Sequence, residues 1–207
     1  MRFHLGGIPA PRDFVPDDPW KQLREPGPWL MQLLALPIGI GLALLVGALW
    51  IWATPLPVEF FKSRAFPSLG LISLAGLVVV HELIHAMVHP QGGKSDRTVL
   101  GFWPSRLLFY AHYDGELTRD RFLGILAMPT LVISLLPLAV ALVTRQSHGL
   151  VAWLSSMNIL FACGDLFGVL LLVFQVPPHA VCHNSGWRTF WRPPVSAGDT
   201  GPQDLTR

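Results

Sequence analysis

Long apolar stretches alternate with shorter polar connections along the chain, and four of the apolar stretches have the length of a membrane span. A helix needs about 20 residues to cross the roughly 30 Å hydrocarbon core of a bilayer. The pattern therefore predicts an all-α membrane protein with four transmembrane helices. The four predicted spans are residues 29–53, 66–88, 122–143 and 149–176.

The polar connection between the second and third spans has a different pattern. Residues 98–103 and 107–113 are rich in β-branched and aromatic side chains, and Pro104 and Ser105 separate them. This arrangement is typical of two short strands joined by a turn. We predict a short cytoplasmic β-hairpin here. It would either plug the mouth of the helix bundle or offer a free edge to an extended peptide.

Composition and charge agree with a membrane location. Only 14% of the residues are charged and 51% are hydrophobic, whereas soluble proteins carry about 25% charged residues. The expected partner is therefore the lipid bilayer. The net charge of +2 gives no indication of nucleic-acid binding. The oligomeric state is left open by the sequence.

The distribution of basic residues predicts the orientation. Twelve of the fifteen Lys and Arg residues fall in the N-terminal tail (1–28), in the C-terminal tail (177–207), and in the loop (89–121) that belongs to the membrane domain (29–176). In a four-helix topology these three regions lie on one side. The positive-inside rule places them, and both termini, in the cytoplasm. We expect an integral, multi-pass protein of a bacterial inner membrane.

The second span contains an HExxH motif, His81-Glu82-Leu83-Ile84-His85. Two histidines four residues apart project from one helix face, about 6 Å apart along the axis, and can bind one metal ion together. The glutamate between them is the usual general base of zinc hydrolases. Ionisable groups inside a membrane are costly and usually functional. The motif therefore predicts a metal-dependent hydrolase.

A third ligand is available on the fourth span. Catalytic zinc needs three protein ligands and an open position for water. Asp165 can complete a set with His81 and His85 if the second and fourth helices meet, and we predict Zn²⁺ there, although Fe²⁺ or Co²⁺ would also suit these ligands. Asn158 lies two turns earlier on the same face. It would act in catalysis beside Glu82, by orienting a carbonyl or an oxyanion, or would link two helices by a hydrogen bond.

Other potential ligands are less well placed. His89 lies about 12 Å along a straight helix from His81, too far to share its ion. Loop residues would compete only if the loop folded back, and these are His112, Asp114 and Glu116. We do not expect a second metal at the remaining cluster, which comprises His179, Cys182 and His183.

Several of these features occur together in one known family. The chain resembles the small membrane family described as "putative zincin peptidase" in four features. These are HELIHA on the second helix, the loop ending Tyr-Asp-Gly-Glu-Leu-Thr-Arg-Asp-Arg-Phe, Pro129 in the third helix, and an Asn followed by Gly-Asp on the last helix. The resemblance covers about residues 70–170 and implies the same ligand and catalytic roles. More remotely, the pattern is similar to site-2 proteases. In those proteases a proline-containing break separates the Asn from the Asp, whereas residues 159–164 contain no proline.

These observations predict a zinc-dependent, membrane-embedded endopeptidase that cuts membrane or membrane-proximal polypeptides near the cytoplasmic end of the second helix. One alternative is a membrane protein that binds metal without hydrolysing peptides, such as a sensor or an assembly factor. Another is a structural four-helix protein in which the histidines and acids form a polar network without metal.

Overall fold

A computed structural model describes residues 1–11, 13–54 and 58–194, and Arg12 and Arg207, counted among the basic residues above, lie outside these ranges. The helices are α1 (Pro28–Ala53), α2 (Val58–Lys62), α3 (Phe66–Val88), α4 (Arg119–Pro129), α5 (Leu136–Thr144), α6 (Gly149–Phe161) and α7 (Cys163–Gln175). The strands are β1 (Arg2–Leu5), β2 (Lys21–Gln22), β3 (Thr98–Trp103), β4 (Leu108–Tyr113), β5 (Glu116–Thr118), β6 (Val181–Ser185) and β7 (Arg188–Arg192).

The prediction of an all-α fold is wrong, because the chain forms two sheets besides its helices. The predicted hairpin is confirmed as the antiparallel pair β3–β4. It is extended by β1, which gives the order β1-β3-β4, and a second sheet has the order β2-β7-β6-β5. Within the described residues, four of the seven strands come from the two tails and are two to five residues long. Apart from the adjacent pair β6–β7, they join segments that lie far apart in the chain, and local periodicity gives no indication of such pairing.

The prediction of four transmembrane helices is also wrong. Within the described residues, three unbroken helices are long and apolar enough to cross a membrane: Pro28–Ala53, Phe66–Val88, and Arg119–Thr144, in which a π-helical stretch, Thr130–Leu135, joins α4 to α5. The fourth predicted span is interrupted. It forms the two helices α6 and α7, which are bent by 49° where they meet.

Helix α3 ends where its sequence prevents further helical turns. Pro90 follows the last turn and cannot donate a backbone hydrogen bond. Gly93 then adopts a left-handed φ of 74°, and an added Cβ there would collide with the carbonyl of Ala86. Only glycine fits this close return. The chain therefore leaves the helix after Val88, turns through Pro90–Gly93 and reaches β3 at Thr98.

The bend between α6 and α7 lies against α1. Ala162, between the two helices, has φ −74° and ψ 4°, outside the regular helical range. Gly39 of α1 faces this point, and a Cβ on Gly39 would lie 2.6 Å from Cβ of Cys163. The missing side chain thus lets α1 approach the bend closely.

Both sheets lie at the same end of the helices. Strands before α1, between α3 and α4, and after α7 pair with one another. Because these strands adjoin the start of α1, the end of α3, the start of α4 and the end of α7, all four helix ends point to the sheets. The HExxH motif occupies the last two turns of α3 and so lies just beside them.

Candidate metal centre

The two motif histidines are buried on the face of α3 that packs against α4 and α6. Nδ1 of His85 lies 2.7 Å from the backbone carbonyl of Ile125 in α4. A carbonyl only accepts hydrogen bonds, so Nδ1 of His85 carries the proton. In the neutral ring, Nε2 is then left with a free lone pair. The helix position supplied by α3 and the carbonyl of α4 together select the tautomer that can bind metal.

Asn158 of α6 selects the same tautomer for His81. The side-chain amide nitrogen of Asn158 donates to the carbonyl of Pro129 at 3.1 Å and to Oγ of Ser134 at 2.9 Å. Its Oδ1 is thus the atom that faces Nδ1 of His81, 2.9 Å away. Nδ1 of His81 must donate, and in the neutral ring its Nε2 keeps a lone pair. Asn158, which is fully buried, lies behind His81.

Asp165 lies on the other side of the same imidazole. Its Oδ2 is 3.0 Å from Nε2 of His81 and 3.3 Å from Nε2 of His85. The two Nε2 atoms are 3.1 Å apart. Asp165 is in the first turn of α7, directly after the bend, so the bend carries its carboxylate to the histidines.

The spacing of these three atoms fits a metal ion. With both rings neutral, the two Nε2 atoms and the carboxylate oxygen are all lone-pair acceptors, and a cation would satisfy the three together. Ligand atoms bound at about 2.0–2.1 Å around tetrahedral zinc are separated by about 3.3 Å. The observed separations of 3.0, 3.1 and 3.3 Å are close to that value. Within the described residues, His81, His85 and Asp165 are the group of His, Cys, Asp or Glu that could hold a metal ion.

Glu82 faces a cavity that opens from this centre. The cavity measures about 250 Å³ and is lined by all four ionisable residues of the centre and by the whole of β4. The carboxylate of Glu82 interacts with both imidazoles and with the backbone amide of Ala111 in β4. Glu82 is thus placed between the ligands and a strand edge. That edge is free within the described residues, since β4 ends its sheet.

The competing ligands lie outside the centre. Asp114 approaches Arg2 at 3.8 Å, and Glu116 approaches Arg192 at 2.9 Å. His112 lines the same cavity as the centre but does not join its ligand group. Nδ1 of His89 forms a 3.3 Å hydrogen bond with Oγ1 of Thr98. Burial lowers the pKa of both His89 and His112 to about 4, so these rings are neutral at pH 7.

The supporting residues behind Asn158 escaped sequence reasoning. Ser134 and Ser155 exchange hydrogen bonds, each hydroxyl donating to the other residue's carbonyl, at 2.8 and 3.0 Å. The indole of Trp50 donates to Oγ of Ser155 at 3.0 Å. The sequence signal that could have identified the two serines is their polar character within apolar spans. The carbonyl of Ile125 had no such signal, because any residue supplies one.

Comparison with known proteins supports this assignment. A family model described as "putative zincin peptidase" matches residues 74–181, just over half of the chain. The chain belongs to this family. The matched segment contains the HELIH motif, Asn158 and Asp165. No curated protein and no solved structure matches the chain.

Family membership indicates a metallopeptidase of the zincin type, in which zinc is the metal. The three residues that converge in the structure all lie within the matched segment. The resemblance to site-2 proteases stays a prediction. The bend between Asn158 and Asp165 forms although residues 159–164 contain no proline.

Proposed function

We propose that this protein is a zinc-dependent endopeptidase embedded in the membrane, which hydrolyses peptide bonds of membrane or membrane-proximal polypeptides. The observation that carries the proposal is the convergence of three lone-pair acceptors, from His81, His85 and Asp165, beside a glutamate that faces a cavity. Two hydrogen bonds hold the imidazoles in the metal-binding tautomer.

The residues of the centre have separate tasks in this proposal. His81, His85 and Asp165 would hold zinc, which, when bound, supplies Lewis-acid activation of water and of a carbonyl. Glu82 would accept the proton of the attacking water and deliver it to the leaving amine. Asn158 is proposed as a positioning residue. It touches Nδ1 of His81 on the side away from the other two ligands.

The free edge of β4 suits an extended substrate. An extended peptide can add to a sheet edge through backbone hydrogen bonds. The whole of β4 lines the cavity that holds Glu82, and the amide of Ala111 interacts with that carboxylate. A peptide on this edge would therefore pass next to the ligands. A helical transmembrane substrate would have to unwind locally to adopt this form, so helix-breaking residues are expected near its cut site.

Orientation is proposed from charge. The regions that hold twelve of the fifteen basic residues adjoin the helix ends that carry the two sheets. The positive-inside rule then favours a cytoplasmic position for the sheets, for both termini and for the open side of the centre. A bacterial inner membrane fits this arrangement. Cleavage is expected within the inner part of the membrane or just below it.

The experiment compares the protein with Glu82→Gln, both purified and reconstituted in liposomes. The probes are casein and a panel of single-span peptides that carry Gly or Pro near the inner end. Zinc is measured by mass spectrometry on the same samples. The proposal predicts about one zinc in each protein and hydrolysis only by the unchanged one. Hydrolysis that persists in Glu82→Gln would contradict the role of Glu82, and bound zinc with no cleavage of any probe would favour the non-proteolytic metal-binding alternative.

A further inference from the structure

The sheet β1-β3-β4 has two faces of different character. Residues paired across its strands share a face. One face carries two apolar rows, which we call the open face: Phe3, Leu100 and Ala111 in one row, and Leu5, Phe102 and Phe109 in the other. Along β1 the intervening residues, Arg2 and His4, belong to the opposite face.

The opposite face is covered by protein along β3 and β4. Val99, Tyr110 and His112 on that face are all buried. The hydroxyl of Tyr110 donates to the carbonyls of Gly6 and Gly7, at 3.3 Å in each case. The N-terminal segment after β1 therefore returns across this side of the sheet. Among the described residues, the outer part of the open face keeps large apolar side chains exposed.

Large apolar side chains on the open face are exposed. Phe3 is 73% exposed, Leu5 is 67% exposed and Phe109 is 44% exposed. Leu107, in the turn of the hairpin, is 76% exposed and has a left-handed φ of 49°. Such a contiguous group is unusual on a surface that faces water.

The hairpin turn is attached to the apolar part of α1. The side-chain amide of Gln32 donates to the carbonyl of Arg106 at 3.2 Å. Gln32 is four residues after the start of α1, so this contact lies about 6 Å along the helix axis. The neighbouring residues Leu30 and Leu33 are exposed apolar side chains on that helix. The turn is therefore continuous with the surface of a membrane-spanning helix.

Amphipathic side chains lie beside the hairpin turn, near the start of α1. The guanidinium of Arg106 lies 5.5 Å from the ring centroid of Trp29 and 5.5 Å from that of Trp103. Tryptophan and arginine side chains of this kind collect where headgroups meet the hydrocarbon region. Leu107 follows Arg106 directly and points away from the protein. These contacts argue that lipid, and not water, surrounds the turn.

We propose that the open face, together with Leu107, lies against the lipid bilayer and forms an in-plane membrane-contact surface. The N-terminal strand β1 is part of this surface and extends it by Phe3 and Leu5. The free edge of β4 would consequently be held at the membrane surface, where a peptide leaving the bilayer would meet it. The proposal does not depend on hydrolysis.

Depth measurements along β1 test this surface. Single cysteines are introduced as R2C, F3C, H4C and L5C, with L107C as a position independent of β1, after Cys163 and Cys182 have been replaced by alanine. Each is labelled with an environment-sensitive fluorophore and reconstituted in nanodiscs of phosphatidylcholine and phosphatidylglycerol. Quenching is measured with brominated lipid and with aqueous iodide. Elution volume and circular dichroism establish that each variant is folded.

An apolar face that lies in the interface is buried about 5–10 Å, so lipid quenching at positions 3, 5 and 107 should exceed that at 2 and 4 by about twofold or more. Iodide quenching should show the reverse alternation. Equal quenching by iodide at all positions would overturn the proposal, because the face would then be in water. Labels at 3 and 5 that neither quencher reaches would also overturn it, since another protein or a second copy would then cover the face.

Discussion

Replacement of Asn158 by alanine should weaken zinc binding without removing any ligand. The substitution deletes the acceptor that lies 2.9 Å from Nδ1 of His81. His81 can then adopt the other tautomer or rotate, and both changes reduce the availability of its Nε2. Partners that orient metal-bound histidines typically contribute 10- to 100-fold to affinity, about 1.4 to 2.8 kcal/mol.

Fold stability should fall as well, for a separate reason. Asn158 also donates to the carbonyl of Pro129 and to Ser134, and all three hydrogen bonds are buried. Hydrogen bonds between membrane helices are worth on average about 0.6 and at most about 1.7 kcal/mol each. The substitution removes the two bonds that join α6 to Pro129 of α4 and to Ser134 of the π-helical stretch. Their loss should lower the free energy of unfolding by about 1 to 3 kcal/mol. This cost should be present with and without zinc.

The assay is competition for zinc with a chromophoric chelator in detergent micelles, and thermal unfolding is followed on the same samples. Ser156→Ala is the matched control, because Oγ of Ser156 bonds only to the carbonyl of Ala152 in its own helix. It should bind zinc as the unchanged protein does. Asn158→Asp keeps an acceptor for His81 and should retain more affinity than Asn158→Ala. Unchanged affinity in Asn158→Ala would refute the positioning role, and a loss as large as that of His81→Ala would show that the centre had collapsed.

Three further predictions follow from local geometry. Gly39→Ala should lower stability by about 1–3 kcal/mol and weaken zinc binding, because its Cβ would press on the bend, whereas Gly41→Ala, with open space, should change neither in the same unfolding and competition assays. Burial raises the pKa of Glu25 from 4.5 to about 7, so the folded state binds the extra proton and stability should fall as pH rises from about 4.5 to 7; that component should vanish in Glu25→Gln. Removal of zinc by a chelator should lower the unfolding temperature of the unchanged protein and of Glu82→Gln by a similar amount. The unfolding temperature of His81→Ala should not change, and a shift in that variant would indicate metal bound elsewhere.

Short-range spacing was sufficient for part of the site. His81 and His85 are four residues apart in an apolar helix, so their shared face followed from helix geometry alone. The hairpin β3–β4 was predictable for the same reason, since its strands are adjacent in the chain and rich in β-branched and aromatic residues. Asp165 was predictable as the lone charge of its span, although its contact with the histidines required two distant helices to meet.

Glycine positions alone do not locate the close helix contact. Glycines beside and after Asp165 suggest a tight contact, yet no atom lies within 4 Å of a Cβ placed on Gly164, and Gly168 meets only the end of the Leu126 side chain at 3.3 Å. The tight contact is made instead by Gly39 of α1. Sequence shows that a glycine permits close approach, but only the partner helix determines whether approach occurs.

The sequence by itself determined which residues could bind a metal and that apolar helices would carry them, because both follow from residue type and local period. The tertiary structure decided what these residues face. It bent the predicted fourth span at Ala162, placed a carbonyl of α4 and the amide of Asn158 on the outer nitrogens of the two imidazoles, and paired strands from both tails into sheets. Each of these depends on groups far apart in the chain, whose meeting is set by packing and not by any local pattern.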